Sequence, residues 1–275
     1  MSFDVLIYLY IFCLGTIFGS FLNCVIYRLH SEESFLKGRS FCPNCQHILS
    51  WQDLIPVFSF LALKGKCRYC HKPISLQYPL VELATGLLFV FTTYNLQLTT
   101  YNLKILLNLG YQLLVVSCLV IVFVYDLKHY IIPDKVIYPA IALAFLYQLY
   151  QITQVRPMYI LPMYILTGVR PVYAALGAAA FFLILVLISH EKWLGWGDVK
   201  LAFLMGLFLG WPKILVALFL AFFIGAIVGV ALIILAKKTL KSEIPFAPFL
   251  VTGTFLAMFF GELLIEWYTN LFLPL

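Results

Sequence analysis

"PVYAALGAAAFFLILVLISHEKWLGWGDVKLAFLMGLFLG" (171–210) holds two strongly apolar runs, and the polar residues sit between them. Asp198 stands at the edge of the second run. An ionised acid costs roughly 2.5–3.5 kcal/mol at the centre of a membrane helix, so an acid this close to an apolar run needs a reason. The wider chain sets the same frame. Over 275 residues it is 63% AVILMFWYC and 11% charged, where a soluble domain carries roughly 25% charged residues. Such a chain is an all-α polytopic membrane protein, because only helices satisfy their backbone within one segment of lipid-embedded chain.

Segments long and apolar enough to matter fall near 5–27, 79–96, 105–125, 131–150, 171–190, 198–210, 213–236 and 246–270. They predict about eight transmembrane helices, the sixth short enough to be half-inserted. The first is long enough to span and has no basic region before it, so it reads as a helix and not as a cleaved signal. Residues 30–78 are the one large polar insertion. The chain therefore divides into a first helix (1–29), a polar cysteine loop (30–78) and a helical bundle (79–275).

Orientation follows from the cations. With the N-terminus outside, only Lys104, Arg156, Arg170 and Lys213 of the 18 Lys and Arg lie on the outer side. The rest, from Arg28 to Lys241, lie inside, as the positive-inside rule requires. The net charge of +6 is then a property of the inner surface. It is spread over several loops, which argues against nucleic-acid binding; membrane lipid is the expected neighbour.

The polar loop carries "CPNC" (42–45) and "CRYC" (67–70), with 21 residues between the pairs. Two CxxC knuckles are the ligand set of a closed tetrahedral Zn²⁺ site, Cys42, Cys45, Cys67 and Cys70. The gap is slightly longer than the usual signature. The competing reading is two disulfides, but the topology puts the loop in a reducing compartment. A loop of this size buries little core, so the zinc would act as its staple. His47 and His71 flank the knuckles but meet a shell already filled. Cys13, Cys24 and Cys118 read as small packing residues in spans.

Among the acids in or near spans are Glu82, Asp126, Asp134, Asp198, Glu262 and Glu266. The topology puts Asp126, Asp134 and Asp198 at the cytosolic edge, on different helices, and Glu262 and Glu266 on the far side. Two carboxylates in a low-dielectric site share a proton, so one acts as base toward water and the other as acid toward a carbonyl. Asp126 and Asp198 are the candidate pair. Asp198 also reads as a helix N-terminal residue. Gly195 and Gly197 are expected to let a substrate strand approach it. Asp134, after Pro133, suits a helix start and ranks as supporting. His129 is one turn from Asp126. Ser189 and His190 adjoin without a nucleophile elbow.

The chain resembles the bifunctional prepilin peptidases, the type IV leader peptidases. The resemblance rests on "GSFLNCVIYRL" (19–29), the cysteine loop and following helix (42–83), "DLKHYIIPD" (126–134), "GWGDVKL" (195–201) and "IPFAPFL" (244–250). Many relatives have glycine where Ala247 stands. The resemblance implies that Asp126 and Asp198 are the catalytic pair and that the four cysteines hold zinc. It implies type IV prepilins and pseudopilins as substrates, cut at the cytosolic face of the bacterial inner membrane. It implies S-adenosylmethionine as methyl donor for the new N-terminus, with Gly65 and Lys66 as candidate cofactor residues. A presenilin-like protease shares the "YD" and "GxGD" signatures but lacks the cysteine loop. A proton-coupled transporter would place its acids near the midplane and show repeats, and neither is seen.

Overall fold

A computed structural model describes residues 3–31, 34, 38–96, 102–154, 161–235 and 244–272. Nearly all of it is helical. The long helices are α1 (Phe3–His30), α3 (Gln77–Asn95), α4 (Leu103–His129), α5 (Asp134–Gln154), α6 (Leu161–Ser189), α7 (Trp196–Leu209), α8 (Lys213–Ile234) and α9 (Ala247–Phe272); α2 (Phe58–Ala62) is one short turn of helix in the polar loop. Among the described residues, six helices are long and apolar enough to cross a membrane: α1, α4, α5, α6, α8 and α9. The other two expected segments form helices of a different kind. At 14 residues α7 is about 21 Å long, short of a 30 Å hydrocarbon core. In α3 the buried face carries Glu82, Thr85, Thr92 and Thr93. Of the cations used to orient the chain, Lys37, Arg156, Lys237, Lys238 and Lys241 lie outside the described residues.

The chain forms two compact units that divide at Ile121 and Val122, inside α4. In the first, α1 lies along α3 at very close range. A Cβ on Gly15 would stand 2.8 Å from the Gly86 Cα, and one on Gly19 would stand 2.7 Å from the Glu82 Cα. The two glycines let the backbones touch, as small residues do in membrane helix pairs. The threonines of α3 satisfy their own hydroxyls. Thr85, Thr92 and Thr93 each donate to the carbonyl four residues back, at 2.7–2.8 Å. Asn23, buried in α1, donates to the Tyr78 carbonyl and accepts from Gln77, which pins the start of α3.

In the second unit α7 packs against α5, α6, α8 and α9. It is apolar on every side, the pattern of a helix enclosed by others, and Leu201, Ala202, Leu204, Met205 and Leu207 are fully buried. Gly206 meets the backbone of α6 so closely that a Cβ would lie 2.3 Å from the Ala175 Cα. Gly253 of α9 approaches the Ala217 carbonyl of α8 in the same way. Enclosure of α7 fixes where its first turn, and with it Asp198, stands.

Candidate active site and metal centre

Two groups of chemistry-bearing side chains are built by the fold, one in each unit. The first begins with the repeated CxxC. In each knuckle the first cysteine N–H donates to the carbonyl five residues on, Cys42 to His47 at 3.0 Å and Cys67 to Lys72 at 2.9 Å. In each, the residue after the second cysteine turns back to the first cysteine carbonyl, Gln46 at 2.8 Å and His71 at 3.0 Å. Both of these residues adopt positive φ, 56°. The two turns thus present four sulfurs inward, all Sγ atoms within 4.8 Å of one another. Cys42 and Cys70 stand 3.9 Å apart. Sulfurs around a tetrahedral Zn²⁺ at about 2.3 Å are separated by about 3.8 Å, so the cluster has the dimensions of a metal site.

Its electrostatics agree with that reading. Burial pushes the Cys42 thiol up, but N–H groups of Cys45 and Asn44 and the neighbouring thiols outweigh it and bring it down to about 7. The backbone bond to His47 favours ionised Cys45, yet desolvation and the adjacent thiols raise it to about 11. Four thiols in one place cannot all ionise without a cation among them. His47 stacks on Tyr69, ring centroids 3.6 Å apart, and neither it nor His71 joins the sulfur cluster.

The loop between the knuckles is tied down by Asp53. Its carboxylate accepts from Arg68 at 2.7 Å, Tyr69 at 3.2 Å and both the amide and hydroxyl of Ser50. Burial would raise this acid, but the Arg68 and Ser50 bonds hold it below the ordinary carboxylate range. Gly65 takes φ +68°, donates to the Phe60 carbonyl and accepts from Ile74, so its backbone shapes the turn that presents Lys66.

The second group is the carboxylate pair. Asp126 is buried in the last turn of α4, and Asp198 is buried in the first turn of α7. The two stand near enough for the charge on Asp126 to act on Asp198. Asp198 Oδ2 accepts the Gly195 N–H at 3.0 Å, the helix-capping geometry expected of an acid at the third helical position. Asp126 accepts the N–H of Ala247, the first residue of α9. Both acids are therefore held by backbone donors, each leaving oxygen lone pairs for a further partner.

The segment between α4 and α5 sets the distance between them. Tyr130, at φ 57°, closes α4 by donating to the Asp126 carbonyl at 2.9 Å. Ile132 then lies against Gly197, where a Cβ would stand 3.0 Å from the Ile132 Cβ. The glycines thus differ from expectation. Gly197 is filled by Ile132 and acts in packing, whereas Gly195 has φ −93° and open space beyond its Cα. Asp134 starts α5 and pairs with Lys200 at 2.6 Å, and Lys200 also lies over the Tyr138 ring at 4.8 Å. His129 packs on Tyr125, centroids 4.5 Å apart. Ser189 turns its hydroxyl to the Val186 carbonyl. Glu262 pairs with Lys213 at the other end of α7 from Asp198.

Two groups were not assigned a role by the sequence. Ala247 supplies a donor to Asp126 through its backbone, which side-chain identity does not announce. Glu82, buried in α3, accepts the Val57 N–H at 2.8 Å. Its signal was an acid inside an apolar segment.

Residues 13–96 match the model of the Bacterial Peptidase A24 N-terminal domain, and residues 113–230 that of the Type IV leader peptidase family. A protein of Myxococcus xanthus (strain DK1622) is 37% identical over 82% of this chain, which spans 63% of that protein's length. One from Aeromonas hydrophila is 30% identical over 96% of this chain and 94% of its own. One from Bacillus subtilis (strain 168) is 32% identical over 95% and 97%. Each of the three is described as a prepilin leader peptidase/N-methyltransferase. No solved structure matches.

Proposed function

Because the chain belongs to the type IV leader peptidase family, we propose that it cuts the leader from type IV prepilins and pseudopilins and methylates the new N-terminus. The observation that carries the reading is the buried pair, Asp126 and Asp198, brought together from α4 and α7. One carboxylate, ionised, takes a proton from water. The water oxygen bonds to the scissile carbonyl carbon while the other carboxyl donates its proton to the carbonyl oxygen. Collapse breaks the C–N bond, and a proton passes to the leaving amine. Ala247 and Gly195 orient the two carboxylates throughout.

The cut falls at the cytosolic face of the inner membrane, with the N-terminus of this chain outside. Cys42, Cys45, Cys67 and Cys70 hold one structural Zn²⁺ that staples residues 30–78. In this reading that loop serves methyl transfer, and residues 79–275 serve cleavage. S-adenosylmethionine, when bound, would supply the methyl: the freed amine nitrogen bonds to the methyl carbon as the carbon–sulfur bond breaks, the sulfonium leaves as a neutral thioether, and the nitrogen gives up a proton. Lys66, on the turn shaped by Gly65, is the candidate contact to the donor. Purified protein incubated with a prepilin, followed by mass spectrometry of the product's N-terminus, tests the whole reading. The expected product lacks its leader and carries one methyl group. Intact prepilin would refute the peptidase assignment; a cleaved, unmethylated product would refute only the second activity.

A further inference from the structure

Glu82 is a buried acid that the carboxylate pair does not use. Its Oε2 holds the Val57 N–H at 2.8 Å, and Ser20 of α1 donates to the same carboxylate. Gly19 touches α3 at the Glu82 Cα, so Glu82 is level with Gly19 along α1. Arg28, the first charged residue toward that end of α1, comes nine residues later, roughly 13 Å further along the axis. Since α1 is apolar enough to cross a membrane, the Glu82 Cα lies on the membrane-core side of Arg28, and the Val57 N–H is held by the side chain that starts there. Water does not serve a backbone N–H at that depth, and non-helical chain is tolerated there only where protein satisfies it. Glu82 supplies the acceptor.

The side chains around Val57 fit the same depth. Trp51 is 73% exposed, Phe58 74% and Leu61 64%, with Leu54 exposed beside them. These belong to the 3-10 turn Trp51–Leu54 and to α2, which touch each other. Asp53 locks that turn to Arg68 and Tyr69, so the apolar surface is a fixed feature of the loop. Lys64, Lys66, Arg68 and Lys72, all exposed, follow directly in the chain. Aromatic and aliphatic side chains backed by cations are the composition of a segment lying in the boundary between acyl chains and headgroups.

We infer that residues 51–63 are a wedge seated in the lipid leaflet around the Arg28 end of α1, with Glu82 as the post that holds it at depth. Trp51, Leu54, Phe58 and Leu61 meet acyl chains, and Lys64 and Lys72 meet the phosphates of anionic phospholipid. The wedge keeps the sulfur cluster against the membrane surface.

The test uses full-length protein in nanodiscs of equal neutral and anionic phospholipid, without prepilin. A benzophenone amino acid is placed at Phe58, at Leu61, or at Asn44 on the exposed tip of the first knuckle, and adducts are identified by mass spectrometry. Phospholipid adducts are expected at Phe58 and Leu61 and not at Asn44, with anionic lipid in at least about twofold excess over neutral. Adducts only to protein, or none at Phe58 and Leu61, would overturn the wedge. Equal capture of both lipids would overturn the role of the cations. In Glu82→Ala carrying the probe at Phe58, lipid capture is expected to fall several-fold while the metal content of the cluster is unchanged; undiminished capture would show that Glu82 is not the post. The readout is lipid, so its failure is separate from any failure of cleavage.

Discussion

The four thiols come from two copies of one short turn, each closed by the same pair of backbone hydrogen bonds, and Asp53 ties the intervening chain to the second copy. The two carboxylates come from the ends of different helices, and their spacing depends on Ile132 lying against Gly197 and on α9 offering the Ala247 N–H. The sulfur cluster is thus assembled by local chain geometry, and the acid pair by the packing of a bundle. A locally assembled site fails when one of its own ligands is lost. A site assembled by packing also fails when helices far from it shift.

The sharpest way to break this contrast is at the acids themselves. Asp126→Asn and Asp198→Asn keep the shape but cannot cycle a proton. Each is expected to lower prepilin cleavage by at least about 10²–10⁴-fold, the usual worth of a general acid or base, with the protein still inserted. Full cleavage by either variant would remove it from the pair. The Asp198→Asn protein should still methylate a pilin that has been cut beforehand, if the two units do separate chemistry.

Changes in the loop should act in the opposite direction. Cys67→Ser is expected to reduce bound zinc from one per chain to none, read by metal analysis after gel filtration. Lys66→Ala should retain the metal and yield cleaved but poorly methylated product by mass spectrometry. If cleavage falls in parallel with methylation in Lys66→Ala, the division of labour between loop and bundle is wrong.

Packing far from the acids gives the next effect. Gly206→Val forces a side chain into the Ala175 backbone, and overpacking of this kind costs about 1–3 kcal/mol. Thermal unfolding in detergent should shift downward, and cleavage should fall although Asp126 and Asp198 are untouched. The same substitution at Gly177, where a Cβ meets nothing within 4 Å, should be near neutral. Equal behaviour of the two variants would contradict the dependence of the acid site on packing.

The smallest effect belongs to Asp134. Its pair with Lys200 is half in solvent, and such pairs contribute about 0.2–1 kcal/mol. Asp134→Asn and Lys200→Ala should each lower cleavage less than about fivefold. A loss as large as that of Asp198→Asn would move Asp134 into the chemistry.

Sequence alone determined the membrane class, the apolar segments, the paired knuckles and the two acids worth testing. Those signals are local: a hydrophobic run, a CxxC, an acid where lipid makes acids costly. Tertiary structure decided the rest, because the deciding contacts join residues distant along the chain. Hydropathy marks α7 as apolar, but only its enclosure by α5, α6, α8 and α9 shows why so short a helix is kept. Gly197 reads as freedom in the sequence and proves to be a seat for Ile132. Ala247 and Glu82 act through backbone N–H groups, one donated and one received. A backbone donor is the same in every residue but proline, so no letter in the sequence marks which one a buried carboxylate will take.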